Sequence, residues 1–564
     1  MTNATASRAT DWLATHRSIL DTARETIRTR AFWSAYPEVP SGKVYGETAA
    51  ADGKAAFEAR LGKRFELGQP GETGATVAPE RSPYGSALNV AYPLSDLDEL
   101  VKASHEAILP WTEAGFDMRT GVALEMLARL NKNSFEIANA VMHTTGQPFM
   151  MSFQAGGPHA QDRALEAVAY AYDEMARIPQ RALWEKPQGK AGSLRIEKTF
   201  AIVPRGIDLT IGCSTFPNWN SYPGMFASLV TGNTVIVKPH PQAVLPLAIT
   251  VEIMRATLRE AGFDPDIVML AVDTAEKPIA KELATLPGIA LIDYTGSSAF
   301  GTWLEKNTHA QVYTEKAGVN SVVIDSTADF KGMTRNLAMS LSLYSGQMCT
   351  TPQNIFVPKA GIETDEGHKS FDEVVAGIVG AVDGLLGPVE RAVEILGAIA
   401  VDATLARVDA ENEKPGVVRK SAAIAHPAFP DARIRTPLIA TMEVQDDDNP
   451  FMHEMFGPIT YVVATDSTAV SLGLLGILAA TQGAITAIVH STDPAVIARA
   501  ETTAAAGNVS LAINLTGSLL VNQSAAFSDF HVTGGNPAGN ASLTDSAFVA
   551  NRFRVIETRR PAAT

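Results

Sequence analysis

Apolar residues recur along the chain at two different periods. Over residues 96–177 they fall three and four apart, as in Leu97, Leu100, Val101 and Ile108, and again in Leu124, Leu127 and Leu130. That is the stripe of an amphipathic helix. Residues 6–29 and 159–178 read the same way. Residues 193–203 alternate instead, with Leu194, Ile196 and Phe200, as a strand of a projecting hairpin would. From Gly206 onward, short apolar strands at 209–211, 234–237, 267–270 and 289–292 are separated by helical stretches. This alternation predicts a parallel α/β sheet, and a second alternating stretch over 321–514 predicts a second one. Residues 32–74 are rich in Gly, Pro and aromatics and read as irregular structure. Trp33, Tyr36 and Tyr45 within them mark a packed arm rather than a loose tail.

Composition adds exclusions. The 564 residues are 46% hydrophobic and 19% charged, which is globular rather than disordered. The formal net charge is −15, a poor match to phosphate backbones or anionic membranes. No nucleic-acid or membrane partner is expected. The near-apolar run at 471–480 is too short to span a bilayer, and residues 1–8 have no apolar stretch of a secretory signal. A cytoplasmic location is expected. Two cysteines, Cys213 and Cys349, exclude a disulfide framework and a Cys-rich metal site. The 11 histidines are scattered without a His-Glu-x-x-His motif, so no metal is expected.

Four stretches carry candidate chemistry. Thr231-Gly-Asn-Thr-Val-Ile-Val-Lys-Pro-His ends a buried strand at Lys238. A lysine there reads either as a solvated strand end or as a contact to a nucleotide ribose or phosphate. Asp293-Tyr-Thr-Gly-Ser-Ser follows a strand and reads as an ordinary helix cap or as a turn whose N–H groups cradle a pyrophosphate. Glu315 precedes a glycine turn in Thr314-Glu-Lys-Ala-Gly and reads as a solvated carboxylate or a general base. Cys349, 34 positions later in Tyr344-Ser-Gly-Gln-Met-Cys, reads as a small buried hydrophobe or as an activated nucleophile.

Taken in order, with Glu454-Met-Phe-Gly-Pro458 as a fifth element, these stretches resemble the aldehyde dehydrogenase superfamily. The N-terminal arm narrows the likeness. Phe32-Trp-Ser-Ala-Tyr-Pro-Glu-Val-Pro, Ser82-Pro-Tyr-Gly and Val237-Lys-Pro-His-Pro resemble its PaaN-type branch, associated with phenylacetic acid degradation.

The resemblance implies that Cys349 attacks an aldehyde to form a thiohemiacetal and then a thioester, and that Glu315 activates the hydrolytic water. It assigns Lys238, Pro239, Thr295, Gly296, Ser297, Glu454 and Phe456 to the nicotinamide cofactor. Two departures stand out. The family's oxyanion-stabilising Asn is replaced by Thr215 in Thr215-Phe-Pro, so Thr215 or the nearby Asn220 is the expected donor, with Asn218 also in reach. The Glu that often contacts the ribose hydroxyls is replaced by Pro241, after His240. Nothing there repels a 2′-phosphate, so NADP is expected to serve at least as well as NAD.

The implied fold is α/β: two Rossmann-like lobes with an oligomerisation hairpin and an N-terminal arm. The expected units are an arm over 1–95 packed on the cofactor lobe, an NAD(P)-binding lobe over 96–315 interrupted by the hairpin 193–203, a catalytic lobe over 316–527, and an oligomerisation tail over 528–564. The implied reaction oxidises an aldehyde, by the PaaN likeness a CoA-linked semialdehyde, to an acid, in a homodimer or homotetramer. A CoA-acylating dehydrogenase and a catalytically impaired scaffold are the alternatives.

Overall fold

The computed structural model describes residues 11–444, 449–521 and 526–562. Residues 6–10, where the N-terminal helical reading starts, lie outside the described residues, as does the rest of the arm before residue 11. The architecture is mixed α/β, built on two mainly parallel sheets. The first has five parallel strands in the order Val268–Leu270, Thr234–Lys238, Ile207–Ile211, Ile289–Thr295, Gln311–Glu315. Its strands Ile207–Ile211 and Thr234–Lys238 are buried at every residue, as expected for strands covered by helices on both faces.

The second sheet has seven strands. Leu438–Glu443, Ile459–Thr465, Asn354–Pro358, Ser321–Ile324, Thr486–His490 and Ser510–Ile513 run parallel, with Val417–Arg419 antiparallel on the edge. A third, antiparallel sheet sets Ser193–Pro204 between Arg181–Pro187 and the C-terminal strand Phe553–Pro561. Among the described residues no helix is long and apolar enough to cross a membrane.

The return from the second sheet to the third is anchored by Arg552. This side chain is fully buried and bonds both oxygens of Asp293, at 2.6 and 2.7 Å. It lies between the rings of Tyr313 and Phe548, 4.3 and 4.1 Å from their centroids. Burial and the Asp293 charge hold the neighbouring Asp208 well above the usual carboxylate range, because charge is costly where water is absent.

The structure corrects the reading of 32–74 as irregular. It contains helices Gly42–Tyr45 and Ala49–Arg60, and the strand Glu72–Val77 pairs with Tyr92–Ser95. Periodicity missed the longer helix because it buries a single residue, Phe57, and includes Gly53. That glycine does not break the helix; it marks a close crossing. A Cβ there would lie 2.4 Å from the Cβ of Phe135, on the helix Ser134–Thr145. The strand Arg181–Pro187, partner of the alternating 193–203 segment, was also missed, being exposed at all but one residue and without a regular alternation.

The arm is clamped by Glu80. One carboxylate oxygen accepts N–H bonds from Val244 and Leu245, at 2.6 and 2.8 Å, at the start of helix Leu245–Ala261. The other accepts from the Tyr92 hydroxyl at 2.5 Å. These bonds favour ionisation, but burial outweighs them and pushes the Glu80 carboxyl up to about 7. A carboxyl raised in the folded state stabilises below its unfolded value, and that contribution is lost as pH rises through the folded one. Glu80→Gln, which preserves the shape and the acceptor for both amides, should therefore flatten the fall in stability between about pH 4.5 and 7, a term of order 3 kcal/mol. Denaturant unfolding of both proteins across that window checks this; identical slopes would contradict it.

Candidate active site

The turn that carries Cys349 is strained and over-determined. Tyr344, Ser345 and Gly346 all have positive φ, at 53°, 50° and 65°. Such conformations cost a few kcal/mol unless the surroundings impose them. Here they do. The Tyr344 hydroxyl donates to Thr145 O at 2.6 Å, and its ring meets the edge of Phe216. Ser345 Oγ lies 2.8 and 2.9 Å from the carbonyl oxygens of Gly397 and Arg435, which share its single O–H donor. A Cβ on Gly346 would sit 2.6 Å from Gly457 O, so only glycine fits. Beyond the turn, Asn320 Nδ2 donates to Cys349 O at 2.7 Å, while its Oδ1 accepts from the amides of Ile485 and Thr486.

Glu315 ends the edge strand Gln311–Glu315 and is 1% exposed. A return segment covers this edge. Asn540 accepts from Thr314 N at 2.8 Å and donates to the carbonyls of Val312 and Thr314. The same segment delivers His531. Its Nε2 lies 3.5 Å from Cys349 Sγ and 3.2 Å from Glu315 Oε1. The opposite oxygen of Glu315 accepts from Asn220 Nδ2 at 2.9 Å. One cluster thus joins Cys349, Glu315, Asn220 and His531, with the Cys349 sulfur, a Glu315 carboxylate oxygen and a His531 ring nitrogen within 4.8 Å of one another. Burial and the adjacent Glu315 carboxylate hold the Cys349 thiol well above its ordinary range.

Of the expected oxyanion donors, Asn220 lies in this cluster. The Thr215 hydroxyl is 3.9 Å from Cys213 Sγ, and its carbonyl accepts from Gln147 at 2.7 Å. Asn218 donates away from the cluster, to Tyr222 and Thr250. The Cys213 thiol is raised by burial.

Residues on the other side of Cys349 form a second concavity. Gly318, Asn320, Gly346, Met348, Glu454 and Phe456 line it beside Cys349. Glu454 has one long backbone contact, from Gly318 N at 3.4 Å, and burial pushes its carboxyl up to about 7. Lys238, Thr295 and Glu315 all stand at the carboxyl ends of parallel strands of the first sheet, the edge where open α/β sheets bind ligands. Pro239 is buried just after Lys238. Ser297 caps the helix Ser298–Asn307, accepting from Phe300 N, and Gly296 closes on the Tyr294 ring.

The thiol also faces a cavity of about 710 Å³. Its walls include Phe32, Trp33 and Val44 from the arm, and Trp219, Met348 and Leu520. The acidic residues Glu38, Asp162 and Asp529 line it too, and no Lys or Arg does among the described residues. Sequence reasoning missed His531, Asn320 and Trp219. His531 sits in no motif and is 182 positions from Cys349, so only the fold brings it to the thiol.

Comparison with known proteins agrees on one family. A model of the aldehyde dehydrogenase family matches residues 88–526. The crystal structure of an NAD-dependent aldehyde dehydrogenase from Burkholderia multivorans is 58% identical, covers 98% of this chain and 99% of its own, and superposes with a TM-score of 0.96. An N-succinylglutamate 5-semialdehyde dehydrogenase from Burkholderia multivorans is 26% identical over 65% of this chain and 72% of its own. An NADP-dependent glyceraldehyde-3-phosphate dehydrogenase from Bacillus halodurans shares the fold at 19% identity, over 87% of this chain and 97% of its own, with a TM-score of 0.65.

Lys238 is itself buried, with Nζ 2.7 Å from Asp273 Oδ1. Burial lowers the lysine, and the Asp273 charge partly offsets this. Removing one member of such a pair leaves the other charged and unsolvated. Lys238→Met should therefore cost about 3–5 kcal/mol, and adding Asp273→Asn should recover most of it. Unfolding of the cofactor-free proteins measures both; equal stability of the single and double variants would contradict the account.

Proposed function

The chain belongs to the aldehyde dehydrogenase family and is a nicotinamide-dependent oxidoreductase acting on aldehydes; from that premise we propose that Cys349 is its nucleophile and Glu315 the base that activates water. Cys349 Sγ bonds the aldehyde carbon, and the π pair moves to oxygen. A nicotinamide cofactor, when bound, supplies the oxidant that accepts the hydrogen of that carbon with its electron pair. Glu315 takes a proton from water, whose oxygen bonds the thioester carbon; the C–S bond breaks and the acid leaves. Splitting the oxidation this way replaces one hard step with two easier ones. Asn220, with one N–H on Glu315, keeps a second for the carbonyl oxygen, and the Thr215 hydroxyl is the other donor.

The residues present fit a nicotinamide cofactor. Glu454, with its single long backbone contact, retains acceptor capacity for ribose hydroxyls, and Phe456 shares its concavity. The Lys238 ammonium has three donors and one ion-pair partner, suiting the adenosine ribose next to Pro239. The turn Thr295, Gly296, Ser297 opens a ten-residue helix, whose free N–H groups favour a pyrophosphate. NADP and NAD both fit this reading. NADP is expected to serve at least as well because Pro241 and His240 carry no carboxylate, whereas the name of the Burkholderia multivorans structure supports NAD.

The substrate we propose is a CoA-linked semialdehyde of phenylacetate catabolism. The PaaN-like arm supports it, and so does the cavity. Aromatic walls with acidic side chains and, among the described residues, no Lys or Arg suit an uncharged acyl chain near the aldehyde, with the CoA phosphates left outside. The carboxylates of an N-succinylglutamate semialdehyde would find no Lys or Arg there among the described residues, and an unpaired buried charge is expensive. The N-terminal arm covers this chamber. The 193–203 hairpin and the tail expose Leu183, Trp184, Leu194, Val555 and Ile556, an apolar patch that supports a homodimer or homotetramer.

The single observation that carries the reading is the meeting of Cys349 and the buried Glu315 through His531. Nicotinamide reduction by a CoA-linked semialdehyde should vanish in Cys349→Ala and fall at least about 10²-fold in steady state in Glu315→Gln, with acid formed in the absence of added CoA. Reduction retained by Cys349→Ala would overturn the reading. A requirement for free CoA would convert it to an acylating dehydrogenase.

A further inference from the structure

An acid–base partner for the thiol is missing from the chemistry above. Cys349 is part-buried beside a carboxylate, and both conditions oppose its ionisation. Glu315 is kept for the hydrolytic water, with one oxygen already bonded to Asn220, and an imidazole is intrinsically about two units more basic than a carboxylate. We propose that His531 is a catalytic residue that takes the Cys349 proton on Nε2. The proposal rests on Cys349 being the nucleophile.

The geometry is specific. Nε2 alone faces both partners, 3.5 Å from Sγ and 3.2 Å from Oε1. A proton on that nitrogen is shared between a thiolate and a carboxylate, each of which it stabilises. The ring is held by a socket built for it. Trp219 meets it edge-on, with centroids 4.6 Å apart, and Arg163 lies 5.0 Å from the centroid of the Trp219 ring. Arg163 bonds Asp529 Oδ1 at 2.6 Å, two residues before His531. Arg30 of the arm donates to Asp529 O at 2.7 Å and stacks on Phe530 at 4.0 Å. Val532 packs with Ile485, Ala538 and Cys349. The charged and titratable groups around the imidazole are thus Glu315 and Cys349 in direct reach, Arg163 with Glu166 and Asp529 behind Trp219, Glu454 beyond the thiol, and Cys213 behind Asn220.

The proton balance closes. The Sγ–H bond breaks, its proton moves to Nε2, and the sulfur pair forms the bond to the carbonyl carbon. The imidazolium keeps that proton, paired with Glu315, through the oxidation. In hydrolysis the water proton goes to Glu315 and its oxygen to the thioester carbon. As the C–S bond breaks, sulfur keeps the electron pair and recovers the proton from His531.

The test needs neither aldehyde nor cofactor. Iodoacetamide alkylation of Cys349, read by peptide mass, is followed against pH for the native protein and His531→Gln, whose amide can still donate to Glu315 but cannot accept a proton. The expected result is a rate at pH 7 about tenfold or more lower in the variant, with the rising limb displaced upward by at least about one unit. A uniform slowing with an unchanged limb, or an unchanged profile, would overturn the proposal and leave His531 a packing residue. Should the variant not fold, the far-ultraviolet thiolate absorbance of the native protein minus that of Cys349→Ser decides the matter. A midpoint at least about one unit below that of the smaller variant His531→Asn supports the relay, and an equal midpoint overturns it. Failure of the nucleophile itself reads separately, as nicotinamide reduction surviving in Cys349→Ala.

Discussion

A part-buried thiol beside a buried carboxylate sets the terms for this molecule. Burial opposes ionisation of the Cys349 thiol, and the adjacent carboxylate opposes it further. A site that uses both must therefore surround them with donors fixed in place. Much of the fold around the site does this. Asn220 donates to one oxygen of Glu315, and the imidazole of His531 faces the other. The three consecutive left-handed residues before Cys349 aim the thiol at that pair, and the bonds of Tyr344 and Ser345 hold the strain.

Delivering His531 requires chain from distant places. The return segment closes the open edge of the first sheet through Asn540. Behind it, Arg163 and Glu166, on the buried helix Pro158–Ala176, meet Arg30 of the arm around Asp529. Trp33 of the arm packs on Phe527 at 5.3 Å, at the head of the same segment. The arm thus both walls the large cavity and braces the loop that carries the imidazole. Its clamp through Glu80 onto the start of helix Leu245–Ala261 fixes the same arm to the first sheet's side of the site.

The alternation of strands and helices was legible because apolar strands covered on both faces leave an unbroken mark on the sequence. Lys238, Glu315 and Cys349 were legible because each follows a strand or turn motif of recognisable order. What escaped notice depends on tertiary contact. The helix Ala49–Arg60 buries one residue and so has no stripe to read. The strand Arg181–Pro187 is mostly exposed and lacks an inside face. His531 has no local pattern, and its meaning comes from a partner 182 positions away. Thr215, standing where the family resemblance implies an Asn, was visible in the sequence, but the pinning of Asn220 on Glu315 was not.

The central claim is that Cys349 carries the acyl group and Glu315 releases it. The most direct measurement is intact and peptide mass spectrometry of Glu315→Gln, quenched during reaction with aldehyde and cofactor. The account predicts a burst of about one cofactor reduced per chain, with the acyl group of the substrate retained on Cys349. Cofactor reduction that leaves Cys349 unmodified, or an adduct on another residue, would contradict it.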